Sequence, residues 1–150
     1  MEQFDTALEK RVWQRVHGCA EPEGTAPGLQ ALALAEHTTA AVYLMLARMA
    51  QGPEKALLRQ LYQQEKQHSR ILSGISVLRD GQALVLRPIA PDNDRPEAAL
   101  RKCYSRTLQA FACYSDRERD GEYGAIFHQL ARQEQEHCRI IAEILGITGR

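Results

Sequence analysis

A glutamate and a histidine three residues apart occur twice in this chain, each time inside the same longer motif. Leu61-Tyr-Gln-Gln-Glu65-Lys-Gln-His68-Ser-Arg-Ile-Leu72 aligns with Leu130-Ala-Arg-Gln-Glu134-Gln-Glu-His137-Cys-Arg-Ile-Ile141, sixty-nine residues further on, and six of the twelve positions are identical. Residues three apart on a helix share a face, so each copy aims a carboxylate and an imidazole in one direction. Two such pairs on facing helices make half of a cage for two metal ions. A single Glu-x-x-His is ordinary helix-surface chemistry. Two copies on apolar seams inside an internal repeat point to metal ligands.

The elements that must carry these residues are helical throughout, since no segment alternates as a strand does. Residues 4 to 16 read as a short amphipathic helix with Phe4, Leu8, Val12 and Val16 spaced by four and Trp13 beside them, followed by a polar loop containing Pro22 and Gly24. A first long helix from about Pro27 to Ala50 has the seam Leu29, Leu32, Glu36, Thr39, Tyr43, Leu46, Ala50. Gln51-Gly52-Pro53 breaks it, and a second helix to about Arg79 has the seam Leu58, Leu61, Glu65, His68, Leu72, Ile75. Residues 80 to 94 form the one long connection, more than adjacent antiparallel helices need, so the chain is expected to cross the length of the bundle there. Asp94, with Glu97 three residues later, is positioned to cap a third helix with Leu100, Cys103, Thr107, Ala110 and Tyr114 on its seam. After a turn at Asp120-Gly121, a fourth helix shows Phe127, Leu130, Glu134, His137, Ile141 and Ile144. The expected architecture is all-α: residues 1–26 as an N-terminal helix and loop, and residues 27–150 as a four-helix bundle.

Each seam has a chemically odd position near its middle: Glu36, Glu65 with His68, Cys103, and Glu134 with His137. A purely structural bundle would place Leu, Ile or Ala there, because an ionised carboxylate in a dry core costs several kcal/mol. Divalent cations supply the compensation. Three carboxylates and one thiolate sum to minus four, which matches two such ions if Cys103 is deprotonated. Oxygen and nitrogen donors suit iron or manganese, and zinc by its high affinity. Cys103 reads either as a soft ligand or as a small buried apolar residue. Tyr43 reads either as core packing or as a hydrogen-bond donor to a ligand. His37 points roughly 100° away from Glu36 and is read as a non-ligand; His17 and His128 have no such partner in the motif.

Composition narrows the function classes. The 150 residues carry 19 basic and 19 acidic side chains, so no net field favours nucleic acid or an anionic membrane surface. No apolar run approaches the length of a bilayer span, and the first residues lack the pattern of a secretory signal. Four cysteines (Cys19, Cys103, Cys113, Cys138) do not read as a disulfide framework, and a reducing cytoplasm is the default expectation.

With these residues in place, the chain resembles the rubrerythrin branch of the ferritin-like superfamily over about residues 29 to 146. Glu36-His-Thr-Thr-Ala-Ala-Val-Tyr43 matches that family's first-helix Glu followed seven residues on by Tyr, and Glu65-Lys-Gln-His68 and Glu134-Gln-Glu-His137 match its two Glu-x-x-His pairs. The resemblance implies a ferritin-like four-helix bundle with a crossover between its second and third helices. It also implies two divalent metal ions, iron foremost with zinc or manganese as alternatives, on Glu36, Glu65, His68, Cys103, Glu134 and His137. The implied activity is reduction of hydrogen peroxide, or reaction with dioxygen, by electrons from an external donor protein such as a rubredoxin, with Cys103 and Tyr43 taking part. A homodimer is implied as well, with the N-terminal helix packing on a neighbour or on its own bundle.

Two departures bear on this. Cys103 falls where the family has its bridging third-helix Glu, and Leu100 where rubrerythrins carry an extra Glu. No Cys-x-x-Cys occurs, so a rubredoxin module is missing and electrons must come from another protein. The competing readings are a non-catalytic zinc or iron sensor, buffer or store with a cysteine-modified site, and a bundle retained for partner contacts after loss of its metal.

Overall fold

The computed structural model describes residues 28–87 and 89–146. The expected N-terminal helix at residues 4 to 16 lies outside them. Four α-helices make up the described chain: α1 (Leu29–Met49), α2 (Gly52–Asp80), α3 (Pro96–Asp116) and α4 (Gly124–Leu145), with a short 3-10 turn at Arg117–Arg119 before α4. There is no strand among the described residues. No described helix is long and apolar enough to cross a membrane.

Local chemistry sets the boundaries. Gly52 takes the left-handed φ of +65° that lets the chain reverse within a few residues, and Pro53 supplies a preset φ in the first turn of α2. The start of α3 differs from the expected cap. Its N-cap is Arg95, held extended at ψ 147° by Pro96, and no side chain caps it. The Asp94 carboxylate instead accepts from Lys102 Nζ at 2.7 Å, and Glu97 pairs with Arg101 at 2.9 Å. Proline at the first helical position moves the boundary one residue past Asp94, beyond the reach of its side chain.

Residues 81–95 contain no regular element among those described. Gln30 of α1 fastens this stretch by donating to the Val85 carbonyl (2.7 Å) and accepting from the Val85 N–H (3.0 Å). Leu84 and Leu86 pack on the core. The turn before α4 is held by Asp120, whose Oδ1 accepts the backbone N–H groups of Glu122 and Tyr123, both at 2.9 Å. Its Oδ2 accepts from Arg79 at 3.0 Å, tying the end of α2 to the start of α4.

The expected seams are the buried faces, except that Ala50, Ala110 and Ile144 are half-buried. They build two apolar clusters. One gathers Leu29, Leu32, Leu72, Ile75, Phe111, Tyr114, Phe127 and Leu130, with contributions from all four helices. The other gathers Val42, Tyr43, Leu46, Leu58, Leu61, Leu100, Cys103, Ile140 and Ile141, again from all four. Each fully buried Leu, Ile or Phe side chain stabilises the fold by about 1.5–3 kcal/mol. In every helix the two sets fall on opposite sides of the polar seam positions. Glu36, Glu65, His68, Glu134 and His137 therefore occupy a belt between two dry plugs.

Gly124, at the first position of α4, fixes how closely the 3-10 turn abuts that helix: a Cβ there would collide with the Glu118 carbonyl oxygen. Gly121 faces open space. Gly124→Ala is expected to lower unfolding free energy by about 1–3 kcal/mol, whereas Gly121→Ala changes it by less than about 0.5 kcal/mol. Urea denaturation of the two variants beside wild type measures the difference, and equal midpoints would refute the close approach.

Candidate metal centre

Three of the four helices deliver the polar belt as their seams require. Glu36 comes from the middle of α1, Glu65 and His68 from successive turns of one face of α2, and Glu134 and His137 from the equivalent turns of α4. All five are almost wholly removed from solvent, with at most 3% of any residue exposed. Glu36, Glu65, His68 and Glu134 each offer a donor atom such that all four atoms lie within 4.8 Å of one another. That group could hold a metal ion. His137 joins it through Glu65 and Glu134.

The two repeats interlock by exchange. His68 Nδ1–H donates to Glu134 Oε1 at 2.8 Å, and His137 Nδ1–H donates to Glu65 Oε1 at 2.8 Å. On the far edge of each ring, His68 Nε2–H donates to Gln133 Oε1 at 2.5 Å, and His137 Nε2–H donates to Gln64 Oε1 at 2.6 Å. Each Glu-x-x-His therefore makes its shortest carboxylate–imidazole contact with the other copy. The two imidazoles stack with centroids 5.4 Å apart and planes 15° from parallel. Glu36 is held from a third side, its Oε1 accepting the Tyr114 hydroxyl at 2.8 Å.

Protons on the two imidazoles offset part of the carboxylate charge. Burial alone would lower the pKa of His68, but the hydrogen bond and charge of Glu134, with the charge of Glu65, raise it to about 9. Burial opposes and Glu134 and Glu65 likewise raise His137 to about 9. Burial pushes the Glu65 carboxyl up, and the neighbouring Glu134 charge adds to this. For Glu134 burial is outweighed by His137 and His68, and its pKa falls to about 2. The asymmetry has a geometric cause: Glu134 faces the Nδ1 atoms of both rings, at 2.8 and 3.5 Å, whereas Glu65 faces only His137.

This protonated arrangement leaves two polar atoms of the cluster unsatisfied. Glu36 Oε2 and Glu134 Oε2 are buried and have no hydrogen-bond partner. Each lies near an imidazole nitrogen, Glu36 Oε2 at 3.4 Å from His68 Nδ1 and Glu134 Oε2 at 3.5 Å from His137 Nδ1. An unsatisfied buried acceptor costs about 1–3 kcal/mol, more when it is charged. Two imidazolium rings stacked face to face also repel each other. Both features disappear if cations replace the Nδ1 protons, so the donor set fits divalent metal.

The remaining expected site residues fall differently. Cys103 is fully buried and close enough to Glu65 and Tyr43 for their charges to interact, but its sulfur stands outside the mutually close donor group. Burial pushes its thiol up to about 12, with Arg106 opposing and Glu65 adding, so in the metal-free protein it is a thiol and not the fourth negative charge. Tyr43 is fully buried, and its hydroxyl lies 3.5 Å from that of Thr107 rather than on a carboxylate. The tyrosine that bonds a cluster carboxylate is Tyr114, which the sequence places on the α3 seam without distinguishing it from a packing residue. Gln64 and Gln133 were also not singled out, although their identity in both repeats was a usable signal. His37 is half-buried outside the cluster, and His128 is exposed and donates to Glu118 at 3.0 Å. The described cysteines Cys103, Cys113 and Cys138 are buried and form no disulfide.

These shifts predict how the metal-free fold responds to pH. The two raised histidines contribute stability that is fully present below their ordinary value near 6.5 and lost as pH rises through about 9. The depressed Glu134 contributes above its ordinary value and loses that contribution as pH falls toward about 2, while the raised Glu65 acts in the opposite sense. Thermal midpoints of the metal-free protein are therefore expected to fall steadily between pH 6.5 and 9. His68→Gln together with His137→Gln should flatten that decline. An unchanged slope in the double variant would contradict the assignment.

Compared with family models, with curated proteins and with solved structures, the chain gives no match. What the cluster does is therefore read from its own geometry.

Proposed function

We propose that this protein is a dinuclear metal redox protein of rubrerythrin-like type, with iron as the metal. The observation that carries the reading is the pair of partnerless buried carboxylate oxygens, Glu36 Oε2 and Glu134 Oε2, each set against an imidazole nitrogen. Three carboxylates and two imidazoles drawn from three helices would hold the ions, with Glu36, Glu65, His68, Glu134 and His137 as ligands and Cys103 as an optional soft ligand from α3. The membership of the two apolar clusters supports a ferritin-like bundle. The end of α2 packs with the end of α3 in one cluster, and the starts of both pack in the other. Residues 81–95 must then run back along the bundle, the crossover expected of that fold.

Once bound, a ferrous pair supplies two electrons for cleavage of an O–O bond. The chain's own contribution is enclosure and proton handling. The two apolar clusters keep water from the belt, and the enclosure of all five ligands favours a reactant as small as hydrogen peroxide or dioxygen over an organic substrate. Tyr114 fixes one oxygen of Glu36 and leaves the other directed at the His68 imidazole. Both Nδ1 protons must leave when cations enter. Re-reduction would fall to a separate electron-donor protein.

A second reading is favoured by Cys103, whose buried thiol beside Glu65 would suit a tightly held zinc ion in a sensor, buffer or store without redox chemistry.

Metal analysis after anaerobic loading with ferrous iron is expected to give two ions per chain in wild type and fewer than one in Glu65→Ala. Stopped-flow mixing of the loaded protein with peroxide should develop a ferric absorption band that Glu65→Ala lacks. A loaded protein inert to both peroxide and dioxygen would refute the redox reading, and stoichiometric zinc with no such change would select the second. Apparent affinity for a divalent probe such as Co(II) should rise with pH below about 9, by up to about 100-fold per unit for two displaced protons. A pH-independent affinity would contradict displacement of the histidine protons.

A further inference from the structure

We infer that Gln64 and Gln133 are positioning residues that hold the Nδ1 edge of each histidine toward a bound cation, each serving the histidine of the other repeat. The inference rests on the metal-binding reading above and adds residues that no part of that reading requires.

Each helix presents Gln and Glu side by side, and the pair together spans one imidazole of the facing helix. Gln64 and Glu65 take the two nitrogens of His137 at 2.6 and 2.8 Å; Gln133 and Glu134 take those of His68 at 2.5 and 2.8 Å. The two grips are the same motif applied twice with the helices exchanged. A neutral imidazole carries one proton, and its tautomer follows from what each nitrogen faces. The Gln carbonyl oxygen can only accept, so the Nε2 beside it keeps its proton. The lone pair is thereby assigned to Nδ1, the nitrogen that faces the carboxylates. Flipping the ring would forfeit the Nε2 hydrogen bond and turn a C–H edge toward Glu65 or Glu134.

The location suits this role. Both glutamines are half-buried while the rings they hold are fully buried. Their amides stand between the imidazoles and the bundle surface, and replacing one by Leu keeps its bulk without opening the core. Loss of such a supporting hydrogen bond commonly weakens metal affinity by about 10- to 100-fold. A glutamine kept only to satisfy a buried N–H would affect fold stability and leave metal affinity unchanged.

The test is competition titration of Zn(II) against a chromophoric chelator for wild type, Gln64→Leu, Gln133→Leu and Gln64→Glu, with circular dichroism establishing that each is folded. Each Leu variant is expected to bind zinc about 10- to 100-fold more weakly, and Gln64→Glu, which keeps an acceptor, to retain affinity close to wild type. Histidine 15N spectra of the zinc-loaded wild type should show metal on Nδ1 and a proton on Nε2 in both rings. Leu variants that bind zinc as tightly as wild type, or Nε2 coordination in wild type, would overturn the inference while leaving the metal centre intact. A wild type that binds no zinc would instead remove the metal-binding reading, and the inference with it.

Discussion

Three carboxylates in the dry middle of a helical bundle cannot stay ionised without a counter-charge, and the protein is built around meeting that demand. The cost of burying one such group is several kcal/mol, comparable to much of the net stability of a small domain. Here two imidazoles supply the nearest compensation, with the shortest contacts made across the bundle and a further one, from His137 to Glu134, within α4. Glu65 depends on His137 of α4, and Glu134 depends on His68 of α2 together with His137 of its own helix. Glu65 therefore finds its imidazole partner only when the other half of the chain is in place, and Glu134 gains its closest one the same way. This couples the electrostatics of the centre to the assembly of the whole bundle.

The apolar clusters and the polar belt depend on each other in the same way. Two dry plugs make the belt costly to ionise, and that same dryness makes its hydrogen bonds and charge pairs strong. Tyr114 belongs to both regions. Its ring stacks near Phe127, with centroids 6.3 Å apart, while its hydroxyl holds Glu36. Tyr43 sits at the corresponding place in the other cluster but spends its hydroxyl on Thr107, which in turn donates to the Cys103 carbonyl at 2.8 Å. The two ends of the belt are therefore not equivalent, despite the internal repeat. One end is set by a tyrosine on a carboxylate, and the other by a buried thiol with no charge of its own.

Much of this was legible in the residues. Helical periodicity located α1 and the end of α2 to within two residues and found the seam of α4, because these seams repeat cleanly and Gly and Pro mark the breaks. The positions of the buried polar cluster followed from one physical rule, that a carboxylate on an otherwise apolar seam needs a reason to be there. What escaped was anything fixed by three-dimensional reach. Asp94 looked like a cap until Pro96 set the helix start, and its charge went to Lys102. Tyr114 and Tyr43 share a residue type and a seam setting, and only the folded distances show which one meets a carboxylate. The direction of the Glu–His pairing was equally hidden, since spacing of three suits contacts within a helix and across to its neighbour.

The central claim is that the cross-paired glutamates and histidines are arranged for cations. The most direct measurement is anomalous diffraction at the iron edge from crystals grown and loaded without oxygen. Two peaks enclosed by Glu36, Glu65, His68, Glu134 and His137, with the Nδ1 atoms turned onto them, are the predicted result. A cluster without anomalous density, in which His68 and His137 still donate their Nδ1 protons to Glu134 and Glu65, would contradict it.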